Sequence, residues 1–465
     1  MQEDVPIRID RVDVVFLEES SRQVGLGKWL DWLKRPRRTS ESILQEVIEK
    51  PLYGSHESFK AFYREGETVL DSLRTLGGFD IDAFEMAIEP FDEQVTRSPG
   101  EPVSCLCRVS LKENKRLGLG AKLSAEGESA VGETELKMTN YFGFLERISG
   151  SVAGSQGQTM YHLSVEKPVV RRPYGTKWFR FGCGNTHTDN RALSSHSLDE
   201  MNIWASYVQD EHNFTYEGSY RDVKVARKAT ERMLREGGHS IKSAVRYTFQ
   251  RDGRDHRLMP SSGSRLRLSA ELAGLFGDVR HAKFEADYNK NWSFNRSMAF
   301  QFISRAGLLF QLNSTSGSSH IADRYFFGGL SNPFWGFKMH GAGPRLAHDS
   351  LGGDAFWTTS FHANAPITST PIGDLYAHAF TQAGNCVTQT ELKNIFAASS
   401  SSSSSSPSNS THAINYNTVR LTAGAGLAFT TSVGLRFDAI YAVPLMHSPS
   451  DLPQTFTFGA SFNFG

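Results

Sequence analysis

The feature that most constrains this chain is a period of two, repeated in segment after segment from about residue 117 to the end. Between 263 and 274, Leu266, Leu268, Ala270 and Leu272 fall on one side, and Arg265, Arg267, Ser269 and Glu271 on the other. Ala282, Phe284, Ala286 and Tyr288 alternate with Lys283, Glu285 and Asp287. Phe456, Phe458, Ala460, Phe462 and Phe464 alternate with Thr457, Gly459, Ser461 and Asn463. Successive side chains of a strand point to opposite faces, so each segment has one apolar and one polar face. Tilted strands of about nine to eleven residues cross a bilayer, and unpaired backbone groups are costly in lipid, so such strands must close into a barrel.

Composition fits that reading. Only 39% of the 465 residues are hydrophobic, yet 11% are aromatic and 41 are glycine. One apolar face per strand needs no more. No apolar run approaches the roughly 18 residues of a transmembrane helix. Lys+Arg and Asp+Glu balance at 50 each, which excludes long-range attraction to nucleic acid. The 4 cysteines are too few for a disulfide scaffold and lack zinc spacing, so no metal or cofactor is expected. A soluble sandwich or propeller would also alternate. Against it, Arg420, Arg436, Asp438 and Asp451 are the only formal charges between 411 and 465.

The pattern predicts about sixteen antiparallel strands in a transmembrane barrel spanning 113–465. Their windows are 117–127, 131–140, 143–154, 158–167, 175–183, 200–209, 211–218, 243–251, 263–274, 279–294, 298–312, 352–367, 373–385, 418–430, 432–444 and 454–464. The stretch 221–238 reads as a helical excursion on one rim. A serine run from Ser399 to Ser406 marks a low-complexity, disordered loop over 397–412. An even strand number returns both ends of the barrel to one side. The long connection at 325–351, the serine loop and the 445–453 connection then share the opposite rim.

Residues 1–112 read differently, as a small α+β domain. Ile9 to Phe16 is a strand with partial alternation. Residues 41–50 form a helix, with Ile43, Leu44 and Val47 on one face and Thr39 or Ser40 as its cap. A second helix over 67–76 carries Val69, Leu70, Leu73 and Leu76 and ends at Gly77-Gly78. Two strands follow, one beginning at Phe79 and one from Val103 to Leu111. Cys105 and Cys107 point the same way in the latter, as small core residues or, less simply, a redox pair. This βααββ unit leaves a sheet edge able to accept another strand. The first residues, MQEDVPIRID, contain neither a basic amphipathic stretch nor an apolar core, so they carry no expected targeting segment.

Several motifs together resemble the Omp85 superfamily, most closely its mitochondrial sorting and assembly branch. NYFGFLERI (140–148) is similar to the family's hairpin between its second and third strands. YHLSVEKPVV (161–170) resembles the next strand and its Lys-Pro exit, and LMPSSGSRLRLSAELAG (258–274) a Pro-x-x-Gly strand entry. RYFFGGLSNPFWGFKMHGAGPR (324–345) with LGGDAFW (351–357) resembles the long sixth loop and the strand after it. The family core there is Arg-Gly-Phe after an apolar residue. Phe334 takes the apolar place, Gly336 and Phe337 match, and Trp335 stands where the arginine belongs. In the family that arginine is thought to reach an acidic residue inside the barrel, and Asp354 matches the acidic position. Trp335 cannot make that salt bridge. Lys338 or Arg345 could replace it, or Trp335 could pack or donate one hydrogen bond. A loop of this length without its own secondary structure is uncommon unless functional.

The resemblance implies that residues 1–112 are a single POTRA domain facing the intermembrane space. It also implies a β-signal at Thr457, Gly459, Phe462 and Phe464. It implies a barrel subunit of the mitochondrial outer membrane that folds β-barrel precursors. Peripheral subunits on the cytosolic face, an inner-membrane organising complex and outer-membrane lipid are the other partners it suggests. The expected place of work is a lateral seam between Gly118, Gly120 and Lys122 of the first strand and Phe456 and Gly459 of the last. His340, His348 and Asp349 form no catalytic constellation, so no enzyme is expected. The competing readings are a polypeptide or solute channel of a mitochondrial or plastid outer membrane, and a purely structural barrel.

Overall fold

In the computed structural model sixteen strands close on themselves, as the alternation requires. The structure describes residues 6–17, 39–90, 102–113, 117–126, 129–155, 157–169, 177–256, 259–294, 298–312, 319–328, 334–393, 419–431 and 435–462. The serine loop lies outside the described residues.

The N-terminal unit is a four-stranded sheet of β1 (Ile7–Phe16), β2 (Gly54–His56), β3 (Phe79–Pro90) and β4 (Val103–Glu113), in the order β2-β1-β4-β3. β1 and β4 run parallel and the other pairs antiparallel. The helix Phe59–Leu76 starts earlier than its apolar stripe suggested. The Ser58 side chain accepts the Ala61 N–H at 3.2 Å, which adds a capped turn ahead of the stripe. Gly77 ends the helix at φ +68°, and a Cβ there would stand 2.5 Å from the Arg147 guanidinium. The first helical stretch is α-helical at Glu41–Leu44 and Lys50–Leu52, with a π-helical turn at Gln45–Glu49 between. Neither expected cap operates. Ser40 stands at the N-cap, but its hydroxyl meets the Ser42 hydroxyl at 2.9 Å and no helix N–H, and Thr39 donates its hydroxyl and N–H to Glu113 at 2.7 and 2.9 Å. Cys105 and Cys107 are thiols fully buried in the core, and burial pushes the Cys107 thiol up to about 11, out of the reactive range.

The barrel begins with β5 (Leu117–Glu126), β6 (Ser129–Thr139), β7 (Arg147–Ser155), β8 (Gln158–Pro168) and β9 (Lys177–Asp189). It continues with β10 (His196–Gln209), β11 (His212–Val225), β12 (Gly238–Asp252), β13 (Gly263–Gly277), β14 (His281–Phe294) and β15 (Met298–Gln311). The two-residue strands β16 (Arg345–Leu346) and β17 (Asp349–Ser350) form a hairpin inside the long loop. β18 (Ala355–Thr370), β19 (Gly373–Val387), β20 (Arg420–Thr431), β21 (Leu435–Met446) and β22 (Phe456–Phe462) complete the wall, and β22 meets β5. Neighbours in the wall are antiparallel, and the faces sort as the alternation demands. Ile203 is 62% and Leu272 53% exposed on the outer face, whereas Lys242 and Glu271 are buried on the inner.

Two expectations fail. The 221–238 stretch is not a helix: β11 runs on to Val225, β12 opens at Gly238, and only Glu231–Leu234 is helical. Arg221 and Val223 pair across to both β10 and β12, and that ladder overrides helix propensity. The third barrel strand begins at Arg147 rather than 143. Residues 140–146 instead form a turn that docks the N-terminal unit. Leu145 is fully buried within that unit's core. Asn140 donates its side-chain amide to Thr39 Oγ1 at 2.7 Å and accepts the Leu145 N–H at 2.8 Å. Glu146 accepts the N–H groups of Phe142 and Phe144, and Arg147 donates to the Leu76 carbonyl at 3.0 Å. A core that crosses the boundary, with its buried polar groups satisfied, ties the domain to this rim.

Candidate functional site

The connection between β15 and β18 does not stand off the rim; it folds back into the lumen. Its aromatic residues drive this. Phe327, Phe334 and Phe337 are buried with Leu309, Phe356 and Cys386 of the wall, and the Phe327 and Phe334 rings stack at 5.4 Å. Each such ring stabilises the buried position by about 1.5–3 kcal/mol over an exposed one.

Trp335 packs rather than bonds. Its ring stands edge-on to His362, His378 and Phe380, with centroids at 5.4, 5.3 and 4.5 Å. The Gln382 side chain accepts its backbone N–H at 2.9 Å. Gly336 turns the tip at φ +95°, against the Thr422 methyl. Lys338 is exposed, and its backbone N–H goes to the Leu452 carbonyl. Arg345 donates to the carbonyls of His340 and His348 at 3.0 and 2.8 Å. Asp354 is met by neither of them. It accepts from the Ser319 hydroxyl and from the Gln389 N–H at 2.8 Å. Of the alternatives for the missing arginine, packing by Trp335 is the one the structure adopts.

Sequence reading missed what holds the base of the loop. Asp323, fully within the lumen, receives both hydrogen bonds of the Arg221 Nη1 group, at 3.0 and 2.9 Å. Lys242 Nζ lies 2.6 Å from Glu271 and 3.5 Å from Asp323. His281 Nε2 lies 2.9 Å from Glu271. Burial alone would raise the Asp323 carboxyl, but Arg221 and Lys242 overcome it and hold the group well below the usual carboxylate range. Glu271, His281 and Asp323 have the spacing of a metal site. Arg221 and Lys242 already supply positive charge there. The sequence signal was present in part: Arg221, Lys242 and Glu271 occupy inward-facing positions of the alternation. Nothing local marked Asp323 as their partner.

The loop exit is bracketed as well. Thr230 donates its N–H and hydroxyl to Asp349 at 2.9 and 2.8 Å, and Arg324 reaches Glu236 at 2.5 Å. The remaining lumen holds a polar cavity of about 650 Å³, lined by Arg265, Arg267, Arg305, Lys283, Glu285 and Asp287 among others.

The tip of the loop also touches the root of the last strand. Phe337 bridges to Pro453, the Gln454 N–H bonds to the Gly336 carbonyl, and the Leu452 N–H to the Gly341 carbonyl. Asp451 accepts two bonds from Arg420, at 2.9 and 3.0 Å, and one from the Gly343 N–H. Beyond this root lies the seam. Among the described residues the register across it runs over Gly459↔Glu126 and Ala460↔Ala125. β5 pairs with β6 along its whole length, from Leu117↔Met138 to Glu126↔Ser129. Gly118, Gly120 and Lys122 find their described partners in Lys137, Glu135 and Glu133 of β6, and Phe456 its partner in Tyr441 of β21. Of the expected seam residues only Gly459 lies in the described cross-seam register. Phe456 and Phe458 are exposed, Thr457 and Gly459 partly buried, Phe462 ends β22, and Phe464 lies outside the described residues.

A family model described as the Omp85 superfamily domain matches residues 140–464. The chain is 31% identical over 278 residues to the sorting and assembly machinery component 50 homolog of Xenopus tropicalis, covering 56% of each. It thus spans little more than half the length of that relative. A SAM50-like protein of Schizosaccharomyces pombe is 27% identical over 374 residues, 77% of this chain and 74% of that one. Among solved structures, BamA from Haemophilus ducreyi lacking POTRA domains 1–3 superposes with TM-score 0.73 at 14% identity, over 98% of this chain and 84% of that one. CdiB from Acinetobacter baumannii gives 0.52 at 12% identity, over 98% and 73%. These two likenesses bear on the fold: a barrel of this type with a POTRA-like unit ahead of it.

Proposed function

The chain belongs to the Omp85 superfamily, and from that premise we propose that it folds and inserts β-barrel precursors into the mitochondrial outer membrane, as the central subunit of a sorting and assembly machinery. The observation that carries this reading is the tie between the long loop and the closing strand: the loop tip bonds to residues 452–454, just ahead of β22, which meets β5 where the first and last strands of the wall join. A joint between the first and last strands, closed late and tied to a loop, can open sideways. A precursor's terminal strand then adds to it by backbone hydrogen bonds, with side-chain pockets supplying selectivity. Folding beside an edge spares the precursor from placing unpaired backbone in lipid. No covalent bond changes in this cycle. The POTRA-like unit faces the intermembrane space, and the long loop and the 447–455 connection face the cytosol, where peripheral subunits dock. An inner-membrane organising complex would approach from the POTRA side.

The channel reading draws support from the polar cavity, but the loop core of Phe327, Phe334 and Phe337 occupies the lumen. Depletion of the protein separates the two. The insertase reading expects assembled porin to fall in the outer membrane; unchanged porin assembly would reject it.

A further inference from the structure

We propose that Asp323 is the far anchor of a strut that crosses the lumen, and that its lock has reversed polarity: the loop supplies the acid and the wall the cations. Three observations support it. The loop tip carries a neutral residue, Trp335, where a cationic lock would need charge, and it is held by ring packing alone and one backbone bond. The loop base carries a carboxylate 4% exposed, gripped by an equally buried Arg221 and flanked by Lys242. These two cations stand on β11 and β12. Counted around the closed wall, β12 and β13 lie diametrically opposite the β22–β5 seam.

The loop therefore spans the barrel. Its base is fixed to the wall farthest from the seam, and its tip is bonded through Gly336, Lys338 and Gly341 to residues 452–454, just before the last strand. A buried acid that lost its cations would be left uncompensated, so the anchor is strongly favoured as formed. Release of the base would free the tip, and with it the root of β22. This assigns Asp323 and Arg221 a positioning role. It deepens the insertase reading, because it ties the state of the loop to the state of the seam.

The test uses the full chain reconstituted in lipid, with nitroxide labels at exposed Lys338 and at exposed His212 on the opposite rim. In the parent protein one narrow distance is expected. Asp323→Asn should broaden it and raise the population of a high-conductance state about tenfold, as loss of one strong charge-assisted lock implies. Asp323→Glu should restore most of the narrow component. Arg221→Gln, which leaves Lys242 in place, should give an intermediate result and covers the case in which Asp323→Asn does not fold. An unchanged distance and conductance in a folded Asp323→Asn or Arg221→Gln protein overturns the proposal. Neither readout involves a precursor, so failure of the lock and failure of the insertase reading remain distinguishable.

Discussion

The wall of this barrel has two unlike joints. Between β18 and β19 the ladder runs from Ala355↔Val387 to Thr370↔Gly373, and the loop core is packed against its inner face. Between β22 and β5 the described register is confined to Gly459↔Glu126 and Ala460↔Ala125. Both joints have glycine and alternating side chains to work with. The difference lies in what stands behind them. The first is backed by buried aromatics, and among the described residues the loop meets the second at the root of its strand. Pairing in lipid is strongly favoured wherever it can form, so the proposed strand exchange needs a joint that the loop core does not brace.

The comparison predicts, first, that a cysteine pair at Glu126 and Gly459, once oxidised, lowers porin-assembly rate by about tenfold or more, because a closed seam offers no edge. A pair at Ala363 and Ala379, registered partners across β18 and β19, should leave assembly near the parent rate. Equal loss from both pairs would erase the distinction between the joints. Second, Leu145→Ala should loosen the N-terminal unit from its rim at a cost of about 2–5 kcal/mol, read as faster amide exchange over the 140–147 turn with the barrel still folded. Third, Asn140→Ala leaves the Leu145 N–H and the Thr39 hydroxyl short of a partner, for about 1–3 kcal/mol in the same assay.

A fourth prediction concerns acid. Burial holds His340, in the loop core and stacked on Phe326, down at about 4. A released loop takes up that proton near the ordinary value of about 6.5, so it binds more protons than the docked loop between the two. Docking is at full strength above about 6.5 and weakens as pH falls toward 4. Label distances at pH 7.5 and 4.5 check it; a loop equally docked at both would contradict it. The smallest effect is expected for Trp335→Phe. Most of the ring contact with Phe380 survives, so the change should stay below about 1.5 kcal/mol, measured by denaturant unfolding.

Much of the fold was legible in the chain. Period two found all sixteen strands, most within a few residues although β9 and β11 run six and seven residues past their windows, because one face must meet lipid and the other the lumen, and a slip of one residue would invert both. The N-terminal helices were found but not their caps: Ser58 caps the second from ahead of its stripe, and at the first Glu113 takes the donors of Thr39 while the Ser40 hydroxyl meets Ser42. The 221–238 stretch was misread because its helical composition competes with two neighbouring strands that only closure brings near. At the candidate site, Phe334, Gly336 and Phe337 were picked out from a motif and do line the loop core. Asp354 was picked out too, yet it bonds Ser319 and Gln389.

The sequence by itself determined the barrel class, the strand count and the rim on which each long loop lies. Those follow from local periodicity and from parity, which no distant contact can change. Only the tertiary structure decided where the loop is anchored and that its tip meets the root of the last strand. Arg221 and Asp323 stand 102 residues apart in the chain, and β5 and β22 are its first and last barrel strands. Such pairings exist only once the wall has closed and the lumen has excluded water from the charges that meet there.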